Sequence, residues 1–278
     1  MTERTDQRGV CAVILAAGEG RRLRPLTERL PKALCPVGNL PLLDHALRRV
    51  EGLDVAVNAS YLADQVVTHV GGRARVSVES GGPLGTAGGI GNLRSWIDGR
   101  GVLVGNADAY LADPDREPGK DIAAMLDGWS GRTVRMLTRP VRHGDTGGFS
   151  GRRFAGFSLL PWRYVRDLRP EPADLVRLVW RPAEAAGELE LVPYEGVYID
   201  TGTLGDYLSA NLHAANGDNL VAPSASVSGT SRESVIGPDA RVAGTVTRCV
   251  IWPGAHVEAG ETLINSIRTD TGLTVEGL

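Results

Sequence analysis

The chain has 278 residues, of which 42% are hydrophobic and 23% charged. That composition can bury a full core without disulfide or metal staples, and it excludes a disordered chain. Thirty basic residues against 33 acidic ones leave a formal net charge of -3, so no basic footprint for nucleic acid or an anionic membrane is expected. The first apolar run, Val10 to Ala17, is far too short to span a membrane. Arg4 and Arg8 precede it, but Gly18-Glu19-Gly20-Arg21-Arg22 follows in place of a small-residue cleavage pattern, so the run reads as a buried strand. Cys11, Cys35 and Cys249 are scattered and form no CxxC pair, which predicts a reducing, cytoplasmic setting. Glycine is abundant, 36 of 278, or about 13% against roughly 7% on average. Lysine occurs only as Lys32 and Lys120, so each raises the question of what a compact ammonium does that a planar guanidinium cannot.

In chain order, Val10–Leu15, Val55–Asn58, Val76–Val78, Val102–Val104 and Val134–Leu137 read as short apolar strands. Between them, Leu42–Val50, Leu62–Val70, Ile90–Ile97 and Ile122–Trp129 carry helical spacing. Phe154–Leu160 and Leu189–Val192 read as further strands, and Leu204–Ala215 as a closing helix. Strands apolar throughout and separated by helices predict a doubly wound, Rossmann-like α/β domain over residues 1–217, with a parallel sheet covered on both faces. Trp96, Trp129 and Trp162 read as core or groove-edge aromatics.

After Gly217 the texture changes. Val221, Ile236 and Ile251 are spaced by 15, as are Val227, Val242 and Val257. Pro223, Pro238 and Pro253, then Ala225, Ala240 and Ala255, fall in register with them. Leu263 continues the step of six after Val257. Repeats with Gly/Pro corners and inward aliphatics predict a short β-helix over residues 218–278. Its open end leaves unpaired edges, so it is expected to supply subunit contacts in a homo-oligomer.

The first strand runs into Leu15-Ala16-Ala17-Gly18-Glu19-Gly20-Arg21-Arg22-Leu23-Arg24-Pro25-Leu26-Thr27. A glycine-rich turn after a strand lets backbone N–H groups approach an anion, at the sheet edge where ligands sit. Leu23 stands where a dinucleotide fingerprint needs its third glycine, and no GK[ST] closes the loop as a Walker A motif requires. Glycines with Arg21, Arg22 and Arg24, followed by Pro31-Lys32, suit a triphosphate, where amides and several cations surround one polyanion. By itself such a turn is also compatible with an ordinary β–α connection bearing solvated arginines.

The assembled string, continued by Leu30-Pro31-Lys32-Ala33-Leu34-Cys35-Pro36-Val37, closely resembles the signature of the sugar-1-phosphate nucleotidylyltransferases. Three further segments match that family in order. Pro83-Leu84-Gly85-Thr86-Ala87-Gly88-Gly89-Ile90 resembles its nucleobase loop, and Val104-Gly105-Asn106-Ala107-Asp108 its strand-end metal aspartate. Tyr198-Ile199-Asp200-Thr201-Gly202-Thr203-Leu204 resembles its second metal site. The β-helix tail is similar to that of the mannose-1-phosphate guanylyltransferase branch. The region Phe154–Pro161 also resembles the N-acetylmuramate-1-phosphate uridylyltransferase branch.

In such enzymes the oxygen of a sugar 1-phosphate attacks the α-phosphorus of a nucleoside triphosphate in line, and pyrophosphate leaves. Both reactants are anionic, so charge must be neutralised and the two aligned. The resemblance implies that Arg22 and the amides of Leu15, Ala16, Ala17, Gly18, Gly20 and Arg21 hold the triphosphate, with Lys32 between the reacting phosphates. It implies that Asp108 and Asp200 share one Mg²⁺, a cation that prefers a few carboxylates plus phosphate oxygens. Glu79, Pro83, Gly85 and Thr86 fall to the nucleobase, and Asn106, Gly156, Arg153 and Thr201 to the sugar phosphate. Pro83–Gly88 tilts the reading to GTP with a mannose- or heptose-like sugar, with uridylyl transfer to an amino sugar as the rival.

Competing readings attach to the same residues. Asp108 could cap a turn, Asp200 could cap the helix near Leu204, Lys32 could be a solvated cation, and Glu79 a solvated strand end. A catalytically silent NDP-sugar sensor should have lost Lys32 or a metal aspartate, yet all are present. A β-helix acyltransferase using His256 would need a longer tail. Two departures from the family pattern stand out. Arg21 occupies the usual threonine position, and the Glu-Lys pair that usually precedes the sugar strand is missing, with Arg152-Arg153 nearby.

Overall fold

The computed structural model describes residues 9–113, 119–142 and 144–277. Arg4 and Arg8 lie outside them. The chain divides into two compact units, residues 1–19 with 43–198, and residues 20–42 with 199–278.

The first unit is built on a seven-stranded sheet. From one edge its order is Leu189–Pro193, Val134–Pro140, Arg152–Leu160, Gly101–Asn106, Val10–Leu15, Asp54–Ala59 and Arg75–Val78. Cys11, Ala12, Val13 and Ile14 are wholly buried, as expected of a central strand with helices over both faces. Val10–Leu15 pairs in parallel with Asp54–Ala59 on one side and with Gly101–Asn106 on the other. All neighbours run parallel except Arg152–Leu160, which is antiparallel to both of its partners. The sheet is therefore mixed, not wholly parallel as the apolar runs suggested. The short connection after Pro140 brings the next strand straight back, which only an antiparallel pairing permits.

The helix after Arg75–Val78 spans Gly85–Asn92, beginning five residues before the first aliphatic of the predicted segment Ile90–Ile97. Its glycines explain the early start. A Cβ at Gly85, Gly88 or Gly91 would come within 2.5, 2.2 or 2.4 Å of the carbonyls of Ala173, Glu171 or Arg169. This three-residue stripe lets the backbone of residues 169–173 lie directly on the helix. Ala87 and Ile90 of this helix enter a core with Val13, Ile97, Val104 and Met136, against which Trp96 and Trp162 pack.

The strand Val197–Asp200 carries the chain from the first unit into the second. The helix Leu204–Ala215 has the predicted bounds.

In the second unit the 15-residue repeat becomes three parallel sheets. Leu220–Val221, Val235–Ile236, Val250–Ile251 and Ser266–Arg268 stack with Val221 opposite Ile236 and Ile236 opposite Ile251. Ser226–Val227, Arg241–Val242 and His256–Val257 form the second face, and Thr230–Arg232, Thr245–Thr247 and Thr262–Ile264 the third. Gly229 sits where a Cβ would be 2.0 Å from the Gly244 carbonyl, so successive coils touch at this corner. The last step lengthens to 17 residues, with Val246 opposite Leu263. Thr274–Glu276 then pairs antiparallel to Ser266–Arg268, closing the C-terminal end.

Candidate active site

In the first unit, three neighbouring strands end together. Leu15 is followed by the buried Ala16 and Ala17, and the Ala16 N–H donates to Asn58 Oδ1 at 2.7 Å. Asn58 is second-to-last in its strand and only 2% exposed. Its Nδ2 donates to Glu79 Oε1 at 2.7 Å, while Glu79 Oε2 accepts the Leu84 N–H at 2.8 Å. Glu79 is 5% exposed, which removes the reading of a solvated strand end. A recess of about 330 Å³ opens beside it, lined by Glu19, Ser60, Tyr61, Glu79, Gly82 and Pro83 among others. Glu79 and Pro83 are expected here from the sequence motifs, whereas Asn58, Ser60 and Tyr61 belong to none of them. The available signal was an asparagine and a serine at the end of an otherwise apolar strand.

The neighbouring base-loop residues are placed differently. The Thr86 hydroxyl accepts the Leu175 N–H at 2.8 Å, and Gly85, at φ +71°, abuts Ala173.

Asn106 ends the strand Gly101–Asn106, opposite Leu15 in the register, and Asp108 follows in the two-residue link to Ala109–Ala112. Asp108 is half-buried. Gly156 sits at φ +86° within Arg152–Leu160, and a Cβ there would lie 2.8 Å from the Ala109 side chain. Only glycine satisfies both demands. Arg152 Nε donates to the Thr138 hydroxyl at 2.8 Å, and Arg153 donates to the Thr146 carbonyl. Opposite Arg153 in the register stands Arg139. It forks onto Asp145 at 2.7 and 3.0 Å and lies 5.8 Å over the Tyr198 ring. The hydrogen bond from Arg139, then one from the Arg142 amide, holds the Asp145 carboxyl well below the usual carboxylate range.

The second unit gathers the remaining candidates. Gly20 takes φ +64°, and a Cβ there would be 2.9 Å from Lys32 Cβ and 3.0 Å from Thr27 Cγ2. The Thr27 hydroxyl donates to the Gly20 carbonyl at 2.8 Å. A single 3₁₀ turn, Arg21–Leu23, then exposes Arg21 and Arg22 while burying Leu23. Lys32 opens another 3₁₀ turn, Lys32–Leu34, and is 7% exposed, so it is not a solvated surface cation. Its Nζ lies 3.8 Å from Asp200 Oδ1, on a side chain 55% exposed. Gly202 makes room for a second cation, since a Cβ there would be 2.6 Å from Arg22 Nη2 and 3.2 Å from Asp200 Oδ1. The helix Leu204–Ala215 is capped by Thr203, whose hydroxyl accepts the Asp206 N–H at 3.2 Å. Asp200 is therefore not the cap. Thr201 is fully buried.

Arg22, Lys32 and Asp200 thus converge within one unit, while Leu15, Ala16, Ala17, Glu79, Pro83, Asn106, Asp108 and Gly156 belong to the other.

The comparisons with known proteins bear on the same motifs. Residues 12–132 match the model of the MobA-like NTP transferase domain. An N-acetylmuramate alpha-1-phosphate uridylyltransferase of Caulobacter vibrioides is 30% identical over 225 residues, covering 69% of this chain and 91% of that one. The chain belongs to the sugar-1-phosphate nucleotidyltransferase family. A second relative of this nucleotidyltransferase, the mannose-1-phosphate guanylyltransferase of Mycobacterium tuberculosis, is 32% identical over 148 residues, covering 50% of the chain and 39% of that protein. A Bacillus anthracis crystal structure carrying the name glucose-1-phosphate thymidylyltransferase shares the nucleotidyltransferase fold, with a TM-score of 0.57 at 19% identity. That match covers 74% of the chain and 95% of that structure. Among the described residues, no helix is long and apolar enough to cross a membrane.

Proposed function

We propose that this nucleotidyltransferase condenses GTP with a mannose- or heptose-like sugar 1-phosphate, releasing pyrophosphate and an NDP-sugar. The observation that carries the reading is the convergence of the Lys32 ammonium and the Arg22 guanidinium on the half-exposed Asp200 carboxylate. Two cations and one open carboxylate are what a reaction between two phosphates needs: positive charge to hold the polyanions, and a hard oxygen to share a divalent cation with them.

A nonbridging oxygen of the sugar 1-phosphate attacks the α-phosphorus. A new P–O bond forms, the bond to the β-phosphate oxygen breaks, and its electron pair leaves on pyrophosphate. The nucleophile is already ionised, so no general base is required. The loop amides from Leu15 to Gly20 and the guanidinium of Arg22 hold the triphosphate. Lys32, nearly buried and with a mobile ammonium, neutralises charge between the reacting phosphates, where a flat guanidinium fits poorly. Asn106, Gly156, Arg153 and Thr201 flank the sugar phosphate, and Glu79, Pro83, Gly85 and Thr86 build the base side.

Asp108 and Asp200 would hold Mg²⁺. Among the described residues, no group of three or more His, Cys, Asp or Glu side chains gathers as a metal cage. Two carboxylates completed by substrate phosphates match the donor set that Mg²⁺ favours. When bound, the ion polarises the α-phosphoryl oxygens and offsets charge on the leaving pyrophosphate.

The guanylyl preference is supported by the β-helix, a feature of the guanylyltransferase branch that the chain resembles. Uridylyl transfer to an amino-sugar 1-phosphate is the second reading, favoured by the Caulobacter relative, 91% of which aligns with this chain. Five nucleoside triphosphates assayed against a panel of sugar 1-phosphates, by pyrophosphate release, separate the two. Turnover led by GTP supports the first, and turnover led by UTP with an amino sugar replaces it. Three free, buried cysteines are consistent with a cytoplasmic setting, and the open first coil of the β-helix is proposed to join a second copy of the chain.

A further inference from the structure

We propose that Asn58 and Glu79 form a buried polar bridge that positions the nucleoside pocket against the phosphate loop, and so sets nucleotide affinity without touching the reacting atoms. The inference rests on the nucleotide-binding reading above.

The bridge spans the ends of three adjacent strands. It begins at the Ala16 N–H, passes through Asn58 and Glu79, and ends at the Leu84 N–H, in bonds of 2.7, 2.7 and 2.8 Å. One end is the turn that would cradle the triphosphate. The other is the loop whose residues Gly82 and Pro83 line the recess beside Glu79. Both side chains are nearly excluded from water, so each bond resists solvent competition. Gly89 closes over the pair, since a Cβ there would lie 2.6 Å from Asn58 Nδ2 and 2.9 Å from Glu79 Oε1. The Ser60 hydroxyl donates to the Glu79 carbonyl at 3.1 Å, fixing the backbone as well. Each carboxylate oxygen accepts an internal donor, which gives Glu79 a positioning role.

Donor and acceptor counting makes the bridge testable. Its two ends are both N–H donors, so the two side chains between them must supply three acceptors and a single amide donor group. Asn58 with Glu79 meets that condition, and neither single exchange preserves it. Asn58→Asp alone sets two carboxylates face to face. Glu79→Gln alone turns an NH₂ group toward another donor. Combining Asn58→Asp with Glu79→Gln restores all three bonds with the polarity of the central one reversed and the net charge unchanged.

Binding of GTP and UTP is measured directly by titration calorimetry on wild type, both single variants and the double variant, alongside KM and kcat. Each single variant is expected to weaken nucleoside triphosphate binding about tenfold or more, leaving the KM for sugar 1-phosphate within about twofold. The double variant is expected to return to within about threefold of wild type. Singles that bind nucleotide as wild type does, or a double variant no better than the product of the two singles, would overturn the bridge. If Asn58→Asp fails to fold, Glu79→Gln and the double variant still decide the matter, because rescue of the first by the second is the signature. A wild-type chain that binds nucleotide but transfers it to no sugar 1-phosphate overturns the proposed reaction alone, and the binding cycle still tests the bridge.

Discussion

At the scale of single residues, the chain separates its two lysines by environment. Lys32 is 7% exposed and within 3.8 Å of Asp200, whereas Lys120 opens the surface helix Lys120–Leu126. In the proposed reaction, Lys32→Ala removes a preorganised cation from the site of charge development, so kcat is expected to fall by about 10²–10³. Lys120→Ala should change it by less than about twofold, as exposed surface substitutions do. Pyrophosphate release measures both, and equal effects would remove Lys32 from the mechanism. Asp108→Asn and Asp200→Asn each keep the side-chain shape while removing a charge from the proposed cation site. Each is expected to lower kcat by about 10³ or more, an effect worth several kcal/mol, with the circular dichroism spectrum unchanged. The loss at Asp200 should appear even though Thr203, not Asp200, caps the following helix. A wild-type rate in either variant would defeat the assignment.

At the scale of elements, the glycines show where reading the sequence succeeds and where it stops. Strands such as Val10–Leu15 and the helix Leu204–Ala215 were legible because hydrophobic periodicity is a local signal. The β-helix was legible because a 15-residue repeat of aliphatics and prolines has no simpler physical cause. The helix start at Gly85 was not, since glycine disfavours helix and its reason for being there lies in the remote backbone of residues 169–173. The direction of Arg152–Leu160 and the Asn58–Glu79 contact were hidden for the same reason. Both depend on which chain segments become neighbours. Motif order pointed to Arg22, Lys32 and Asp200, which the second unit does bring together, but it could not show that Thr86 is engaged by Leu175. The packing account of the glycine stripe predicts that Gly88→Ala, facing the Glu171 carbonyl at 2.2 Å, costs about 1–3 kcal/mol. For a chain of this size that lowers Tm by about 2–4 °C per kcal/mol. Gly81→Ala, with nothing within 4 Å of the added carbon, should leave Tm within about 1 °C. Thermal unfolding of the two variants checks the contrast, and equal Tm values would show that the stripe is not a packing requirement.

At the scale of the whole molecule, the β-helix is asymmetric. Its C-terminal coil is closed by the antiparallel strand Thr274–Glu276, while Leu220–Val221, Ser226–Val227 and Thr230–Arg232 are edge strands. On that first coil Val221 is 40% and Val227 37% exposed, where the equivalent Ile236, Val242, Ile251 and Val257 are buried. An edge carrying partly exposed aliphatics invites pairing with another chain, which is why the tail is proposed to join a second copy. Deleting the tail is a poor test, because the second unit is threaded through it. Trp252 Nε1 donates to the Tyr207 hydroxyl at 3.1 Å, and Tyr207 in turn donates to the Pro36 carbonyl. Asn39 Nδ2 donates to the Ile236 carbonyl at 3.1 Å. Removing residues 219–278 would strip partners from the very segment that carries Lys32, so a changed mass could reflect unfolding. Substituting both Val221→Lys and Val227→Lys leaves those bonds in place and sets like charges on the coil edge. If the edge is an interface, sedimentation at micromolar concentration should show the wild type as an oligomer and the variant as a monomer, with pyrophosphate release within about twofold for the two. An unchanged sedimentation mass in the variant would mean that the first coil faces solvent and that any assembly uses another surface.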